Sequence, residues 1–444
     1  MKDYIVEKKK ISSTGRDIEI LVLRPLKNAR PKSKTPGILW IHGGGYRTGM
    51  AGMIYMSRAL NLVKTYGAVV VTPEYRLSNE APYPAALEDC YAALKYLKEH
   101  GFFAEVVSDM EYDIAKRLGY SDDRIIYNSP IKDRKVWEQV LLGGGYVNFD
   151  STYELRWIEE MSKAYPEREF KIGLRVNCDI GSLCPEEQLV EEEGGRFGYC
   201  YENGKLKEAI DAVQSFPNVK VAGLHLHSST QSRTVKVYGA LAKMAVKIAK
   251  EYDLNLEFVD MGGGYFGGRD DKPNYLNYFE EIGKELREYF NPEKTKIIAE
   301  PGVSLISRGM SFETTVLDVK DIRNHKFIVT DGSRVNLNPL VTRHVYPHHM
   351  VYGTDTSNRD IVKSQWVCGA TCMEYDRLFE IVDDVALQPG DRIVYDTAGG
   401  YTMCLNPLFI HYFPAIWIEK VDGSLYQARE PWTNDEYMQK YHWE

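Results

Sequence analysis

Asp260-Met-Gly-Gly-Gly-Tyr265 lies between two other polar motifs, His225-Leu-His227 and Glu300-Pro-Gly302, and each of the three follows a short β-branched or apolar run. In a (β/α) barrel the loops that follow the strands build the active site, so this order indicates a single pocket. Glycines let backbone N–H groups approach a phosphate closely. The three motifs together therefore predict a barrel that holds a phosphate-bearing cofactor, although a glycine triplet alone is a weak signal.

Short apolar runs alternate with helical stretches from residue 68 to residue 302, as in βαβ units with a parallel sheet. The predicted barrel strands are Ala104–Val107, Ile125–Asn128, Val147–Asp150, Ile172–Asn177, Ala222–His227, Glu257–Met261 and Lys296–Glu300. A (β/α)8 barrel needs an eighth strand, and Val69–Thr72 is the upstream candidate, since its distance from the next strand suits one right-handed βαβ unit. From about residue 311 the pattern favours an antiparallel β-domain, with strands such as 326–330 and 391–395.

From about residue 101 to the C-terminus the chain resembles the fold-type III pyridoxal-phosphate decarboxylases, the group of diaminopimelate and ornithine decarboxylases. The motifs that carry this resemblance occur in the family's order: Phe103–Glu111, Asn148–Ser151, Gly173–Asn177, Arg196–Gly198, Val367–Cys372 and Ala398–Thr402. The resemblance implies an α/β fold, a (β/α)8 TIM-like barrel followed by a C-terminal β-domain. It also implies pyridoxal 5′-phosphate as the cofactor, an amino-acid substrate and a homodimer.

The same resemblance assigns roles to individual residues. His227 is expected to stack on the cofactor ring and Glu300 to hold its pyridine nitrogen protonated. Cys372 is expected to reach the partner's site and protonate the carbanion, while Asp331 and Asp376 would contact the substrate amine. The expected cofactor-binding residues are Gly262, Gly263, Gly264, Thr230, Tyr401 and Arg175.

Each of these roles has a structural alternative. His227 would then be a core histidine, Glu300 the ion-pair partner of Arg175, Tyr401 a sheet aromatic and Cys372 an inert buried thiol. Family members that act on diamino acids carry an acidic residue after the cysteine, where this chain has Met373, so a basic substrate is not predicted.

Residues 1–100 resemble a different family, the hormone-sensitive-lipase branch of the α/β-hydrolases, through Gly37–Gly45, Val69–Leu77 and Tyr83–Asp89. In those enzymes the His-Gly-Gly-Gly loop, here residues 42–45, supplies backbone N–H groups to an oxyanion hole. The chain has no Gly-x-Ser-x-Gly nucleophile motif, so carboxylesterase activity is the least favoured interpretation. The predicted domains are 1–100, 101–310 and 311–444.

The Schiff-base lysine of the decarboxylase family has no counterpart in this chain. The family carries it on the first barrel strand in a Tyr-Ala-Val-Lys-Ala-Asn type of motif, and with Val69–Thr72 as that strand, Thr72 falls at or beside its position. The lysine bonds to the cofactor and takes part in proton transfer, so its loss impairs catalysis. The prediction is a decarboxylase-like protein. A non-catalytic cofactor-binding or regulatory protein and a chimeric gene product are the alternatives.

Composition excludes several other functions. The net charge of −8 provides no basic surface for nucleic acid or for an anionic membrane, and no run approaches 18 apolar residues. Seven scattered cysteines suit a reducing cytoplasm better than a disulfide framework. Cys368 and Cys372 lack a second ligand pair and His348-His349 stands alone, so no metal site is predicted.

Overall fold

The computed structural model describes most of the chain. The described residues are 4–26, 37–40, 50–56, 59–66, 68–77, 85, 89–90, 92–93, 96, 103–185, 194–228, 232–266, 272–338, 345–419 and 424–442. They form two compact units, one comprising residues 1–262, 279–300 and 418–426, the other residues 263–278, 301–417 and 427–444. The described residues contain four sheets, one of which is a two-stranded sheet of Ile416–Glu419 and Leu425–Arg429.

The helices mostly follow barrel strands, as βαβ units require. They are Ala59–Tyr66, Asp109–Arg117, Arg134–Leu142, Thr152–Ala164, Lys205–Gln214, Val235–Glu251, Tyr275–Leu286, Val303–Ile306, Arg334–Leu337 and Asn434–Met438. Side-chain caps set several of their starts; for example, Ser108 accepts from the backbone N–H of Glu111 and Asp133 accepts from that of Val136. Over the part of the chain that the structure describes, no helix is long and apolar enough to cross a membrane.

The N-terminal sheet consists of β1 (Tyr4–Ser13), β2 (Arg16–Pro25), β3 (Gly37–Leu39) and β4 (Val69–Pro73), in the order β1-β2-β4-β3. Strand β2 alternates between the two faces, as a pleated strand must. Leu21 and Leu23 pack into one apolar cluster, and Ile20 and Val22 pack into another. Both faces of β2 are therefore covered, which is why the strand is apolar throughout its middle. It is a central strand of the sheet, between β1 and β4.

Strand β4 belongs to this N-terminal sheet, so the prediction that Val69–Thr72 forms the first barrel strand is wrong. β4 runs antiparallel to β2, with Thr72 opposite Leu21, and parallel to β3. Thr72 is fully buried there and does not occupy the lysine position of a barrel. The long apolar β2 provides a pairing partner that the spacing between β4 and the next strand could not reveal.

The barrel sheet contains all seven predicted barrel strands. In the described residues they are β5 (Ala104–Val106), β6 (Ile125–Tyr127), β7 (Tyr146–Phe149), β8 (Phe170–Asn177), β10 (Val219–Leu226), β11 (Phe258–Asp260) and β12 (Lys296–Ile298), with β9 (Tyr199–Cys200) beside β8. They pair in parallel in the order β12-β11-β10-β8-β7-β6-β5.

The barrel sheet is curled and open. Within the described ranges, β5 and β12 each pair on one side only, so the ring lacks the strand that would close it. The two edges still approach each other, because the Nζ of Lys296 on β12 lies 5.8 Å from the ring centre of Phe103, the residue before β5. The parallel arrangement brings the carboxyl ends of all seven strands to the same rim.

The C-terminal sheet consists of β13 (Phe312–Ile322), β14 (His325–Thr330), β15 (His348–Val351), β16 (Ile361–Cys368), β17 (Arg377–Val385) and β18 (Arg392–Tyr395). Its order is β15-β18-β13-β14-β16-β17. All pairs are antiparallel except β14 with β16, so the prediction of an antiparallel domain needs this one correction. Val316, Ile328, Val367 and Ile393 form its core. The predicted boundaries at residues 100 and 310 remain predictions.

Candidate active site

Three polar side chains meet at the carboxyl ends of three neighbouring strands. His225 lies on β10, Asp260 ends β11, and Glu300 follows β12 by two residues. His225 pairs in register with Asp260, and Asp260 pairs with Ile298. One ligand atom from each of the three side chains lies within 4.8 Å of those of the other two. The parallel register therefore assembles a compact cluster from residues far apart in the chain.

Two asparagines reach this cluster from the other side of the curled sheet. Asn128, which follows β6, donates through Nδ2 to a carboxylate oxygen of Glu300, and the same Nδ2 lies 3.5 Å from Nε2 of His225. Asn148, on β7, donates through Nδ2 to Oδ2 of Asp260 at 3.1 Å. These contacts across the barrel interior hold the two carboxylates in defined positions.

Burial dominates the electrostatics of the cluster. It raises the pKa of Asp260 to about 7, with a further contribution from Glu300, and it raises the pKa of Glu300 as well. It lowers the pKa of His225 to about 4, so this imidazole is neutral at neutral pH. Burial and the charge of Glu300 also raise the pKa of Glu105, which lies on the edge strand β5.

Gly262 allows the loop after β11 to lie against the imidazole of His227. Its φ is +62°, and a Cβ at this position would come within 2.3 Å of Nδ1 of His227. The carbonyl of Gly262 accepts the backbone N–H of Glu300 at 2.9 Å, which ties this loop to the end of β12. Burial lowers the pKa of His227 to about 4, so its ring is neutral at neutral pH. Gly264 also has a positive φ, +86°.

Arg175 forms an ion pair with Asp150 and not with Glu300, the carboxylate that the sequence suggested as an alternative partner. Its guanidinium donates to Oδ2 of Asp150 at 3.2 Å and stacks over the ring of Phe197 at 4.5 Å. The alternative that Glu300 serves as the ion-pair partner of Arg175 is therefore wrong. The positive charge of Arg175 still acts on Glu300 and lowers its pKa, against the larger effect of burial.

Sequence reasoning missed Lys132, Asn128 and Asn148. The side chain of Lys132 is completely buried, where Nζ contacts Oε1 of Glu154 at 2.9 Å and donates to the carbonyl of Asn148 at 2.8 Å. A lysine in a loop is normally solvated, so no local signal marks this one. The two asparagines carried a usable signal, since both lie at the carboxyl ends of predicted barrel strands.

The remaining predicted site residues belong to the second compact unit. Cys372 is exposed, and Tyr401 is 62% exposed with a positive φ of +62°. Asp331 is exposed and accepts the backbone N–H of Thr315 at 2.7 Å. Asp376 is buried, and its oxygens accept hydrogen bonds from the hydroxyl groups of Ser333 and Thr371 and from the backbone N–H groups of Arg334 and Thr371.

Asp376 therefore has a structural task, in that it organises the loop between β16 and β17. Its predicted contact with the substrate amine stays a prediction, as do the roles of Cys372, Asp331 and Tyr401. Thr230 lies outside the described residues.

Comparison with known proteins decides the family. Residues 80–307, slightly more than half of the chain, match the model described as pyridoxal-dependent decarboxylase, pyridoxal binding domain. The chain belongs to the pyridoxal-dependent decarboxylases. Residues 26–105 match a second model, BD-FAE, in agreement with the α/β-hydrolase resemblance of the N-terminal segment.

Several members of the pyridoxal-dependent decarboxylases are similar over most of their length. The L-glutamyl-[BtrI acyl-carrier protein] decarboxylase of Niallia circulans is 26% identical over 77% of this chain and 83% of its own length. The probable chloroplastic diaminopimelate decarboxylase of Oryza sativa subsp. japonica is 26% identical over 88% of this chain and 84% of its own. The crystal structure of diaminopimelate decarboxylase from M. jannaschii with L-lysine shares the fold, with a TM-score of 0.65 at 21% identity over 78% of this chain and 80% of that one.

The side chains of this decarboxylase-family barrel fit pyridoxal 5′-phosphate, the cofactor of the family. Glu300 is a buried carboxylate that suits a pyridine nitrogen, and His227 offers a neutral ring for stacking. Gly262 has no side chain that would fill the space beside that ring. The donor set therefore suits the aromatic part of the cofactor, while a lysine in the family's first-strand motif is absent from the sequence.

Proposed function

We propose that this chain binds pyridoxal 5′-phosphate non-covalently in its barrel and is a weakened amino-acid decarboxylase. The observation that carries the proposal is the position of Glu300, which Asn128 holds beside His225 at the carboxyl ends of the strands. A carboxylate at the pyridine nitrogen keeps the ring protonated, and the cofactor then accepts the electrons released when an amino acid loses CO₂.

The other predicted residues complete this proposal. The N–H groups of Gly262, Gly263 and Gly264 bind the phosphate. The hydroxyl groups of Thr230 and Tyr401 assist them, and His227 orients the ring. In a two-fold homodimer located in the cytoplasm, Cys372 of one subunit returns a proton to the substrate carbon in the other subunit. The substrate is a small α-amino acid, with Asp331 and Asp376 as contacts for its amine.

The loss of the lysine limits the rate. The amine of that lysine normally exchanges the cofactor onto the substrate and moves protons, and general acid–base catalysis of this kind contributes about 10²–10⁴-fold. Lys132, the one lysine that is fully buried among the described residues, is engaged with Glu154 and with the carbonyl of Asn148. We therefore assign no Schiff base to it.

The open barrel favours a second function, that of a non-catalytic cofactor-binding or regulatory protein. Over the described ranges, seven parallel strands follow one another from edge to edge of the sheet, with β9 beside β8, and they do not form a closed ring of eight. One relative, antizyme inhibitor 2 of Xenopus laevis, is 24% identical over 78% of this chain and bears the name of an inhibitor rather than of a decarboxylase.

Titration of the full-length protein with pyridoxal 5′-phosphate, followed by borohydride reduction and peptide mapping, tests the proposal. We expect saturable binding and no pyridoxyl-lysine at the site, with slow CO₂ release from an added amino acid. A pyridoxyl adduct on one lysine would contradict non-covalent binding. Saturable binding without CO₂ release from any amino acid would favour the regulatory function, and no binding would exclude both.

A further inference from the structure

We propose that the cluster of His225, Asp260 and Glu300 is a site for a divalent first-row transition cation when the cofactor is not bound. The ligand atoms would be Nε2 of the imidazole and one oxygen from each carboxylate. The site lies at the carboxyl ends of β10, β11 and β12, and it needs none of the family's lysine chemistry.

The spacing of the three groups suits one ion. Nε2 of His225 lies 3.7 Å from Oε2 of Glu300, and all three ligand atoms fall within 4.8 Å of one another. Two ligands with bonds of about 2.2 Å to one cation lie at most about 4.4 Å apart. A movement of a few tenths of an ångström, on the order of an ordinary side-chain adjustment, therefore brings the cluster to coordinating distance.

A buried polar atom without a hydrogen-bond partner points to a missing ligand. Oδ1 of Asn128 is buried and has no such partner within the described part of the chain. Asn128 is 5% exposed, and its amide is directed at Glu300 and His225. Buried polar groups are normally satisfied, and a half-turn of the amide exchanges its nitrogen for its oxygen. Oδ1 of Asn128 would then become a fourth ligand.

The charge balance also favours a cation. Asp260 and Glu300 bring two carboxylates into the barrel interior. Arg175, the cation that acts on Glu300, is paired with Asp150. Buried charges are costly unless they are paired or coordinate a metal. Within the described residues β5 pairs on one side only, and its other edge, where Glu105 is exposed, would give a hydrated ion access from solvent.

The donor set indicates the class of ion. One imidazole nitrogen with carboxylate and amide oxygens suits Mn²⁺, Fe²⁺ or Zn²⁺ and offers no sulfur for a soft ion. Since Glu300 is also the residue that we assign to the pyridine nitrogen, the cation and pyridoxal 5′-phosphate would exclude each other.

Equilibrium dialysis of the full-length, cofactor-free protein against Mn²⁺ and separately against Zn²⁺, with elemental analysis, tests the site. We expect one ion per chain. His225→Gln and Asp260→Asn should each weaken binding by about 10-fold or more, since each removes a ligand. His349→Gln is the matched control, because His349 faces Asp396 at 3.4 Å in an exposed pair elsewhere, and it should bind the ion as the wild type does.

Two results would overturn the inference. One is the absence of bound Mn²⁺ and Zn²⁺ in the wild type, and the other is binding that is retained in both folded ligand variants. Pyridoxal 5′-phosphate added to the metal-loaded wild type should release the ion. Cofactor binding in a protein that takes up no metal would refute the cation site and leave the proposed cofactor function intact.

Discussion

Asn128 donates a side-chain hydrogen bond to the carboxylate of Glu300, although 172 positions separate the two residues in the chain. Asn128 follows β6 and Glu300 follows β12, so the bond spans the interior of the curled sheet. It holds the one carboxylate that we assign to the cofactor's ring nitrogen. The affinity for pyridoxal 5′-phosphate should therefore depend on a residue that need not touch the cofactor.

We expect Asn128→Ala to weaken the binding of pyridoxal 5′-phosphate. A hydrogen bond to a charged group is worth about 1.5–3 kcal/mol, and its loss leaves Glu300 free to move, so the dissociation constant should rise by about 10–100-fold. Absorbance titration measures this change. Asn203→Ala removes an asparagine whose side chain accepts from the backbone of Lys205 on an exposed turn, and it should leave the affinity unchanged. Equal affinities in the two variants would contradict the assignment of Glu300.

Gly262→Ala should destabilise the protein and abolish cofactor binding. The new Cβ would come within 2.3 Å of Nδ1 of His227, in addition to the strain of a positive φ. The strain alone costs about 1–3 kcal/mol, and the collision adds to it. Gly204→Ala is the matched control, because Gly204 has a φ of +81° and open space around its Cβ position. Urea unfolding of both variants separates the cost of backbone strain from the cost of the collision. Equal losses of unfolding free energy in the two variants would show that His227 does not pack against this loop.

Lys132→Met should be strongly destabilising. Burial lowers the pKa of Lys132 and raises that of Glu154, and removal of the lysine leaves the buried carboxylate without its partner. Breaking a buried ion pair from one side costs about 3–5 kcal/mol. Lys163→Met breaks an exposed pair with Glu159 and should cost about 1 kcal/mol or less. Denaturant unfolding of both variants measures these costs. Similar losses of unfolding free energy in Lys132→Met and Lys163→Met would mean that the Lys132 pair is not buried in solution.

The ion pair of Arg359 and Asp391 should make stability depend on acidic pH. Burial would raise the pKa of Asp391, but hydrogen bonds from Arg359 and from backbone N–H groups outweigh it and lower the pKa below the ordinary value of 3.8. A carboxyl with a lowered folded-state pKa stabilises the fold above that ordinary value and loses this contribution as the pH falls through the folded-state pKa.

The cost of Asp391→Asn should therefore be large at pH 7, about 3–5 kcal/mol, because Arg359 is left unpaired, and smaller near pH 3. Unfolding measured at both pH values tests this difference. Asp321→Asn, which affects an exposed pair with Lys326, should cost about 1 kcal/mol or less at either pH. A cost of Asp391→Asn that does not change with pH would refute the linkage.

Light scattering should show a dimer at micromolar concentration. The expectation follows from Cys372 and Tyr401, which resemble residues that complete the partner's site in the family, and their side chains are exposed here. Cys372→Ser should leave the dimer intact and lower only the rate of CO₂ release. A monomer at working concentration would count against the shared site.

The strands of the barrel could be predicted from the sequence because each is a short apolar run followed by a polar residue at a strand end. That local pattern also located His227, Gly262 and Glu300, since the carboxyl ends of parallel strands must share a rim. The family resemblance came from further motifs, such as Asn148–Ser151 and Val367–Cys372, each of which is a continuous stretch of sequence.

The partner of strand β4 was decided only by tertiary pairing. Val69–Pro73 is apolar and suits either sheet, and its alignment with Arg16–Pro25 depends on a contact across more than forty residues of chain. The same is true of the bond from Asn128 to Glu300, of the burial of Lys132 against Glu154, and of the pairing of Arg175 with Asp150. A local pattern indicates which residues prefer a strand or a strand end. The curl of the sheet determines which side chains meet. The free energy of those contacts arises only when distant segments are packed together, so a local pattern does not contain it.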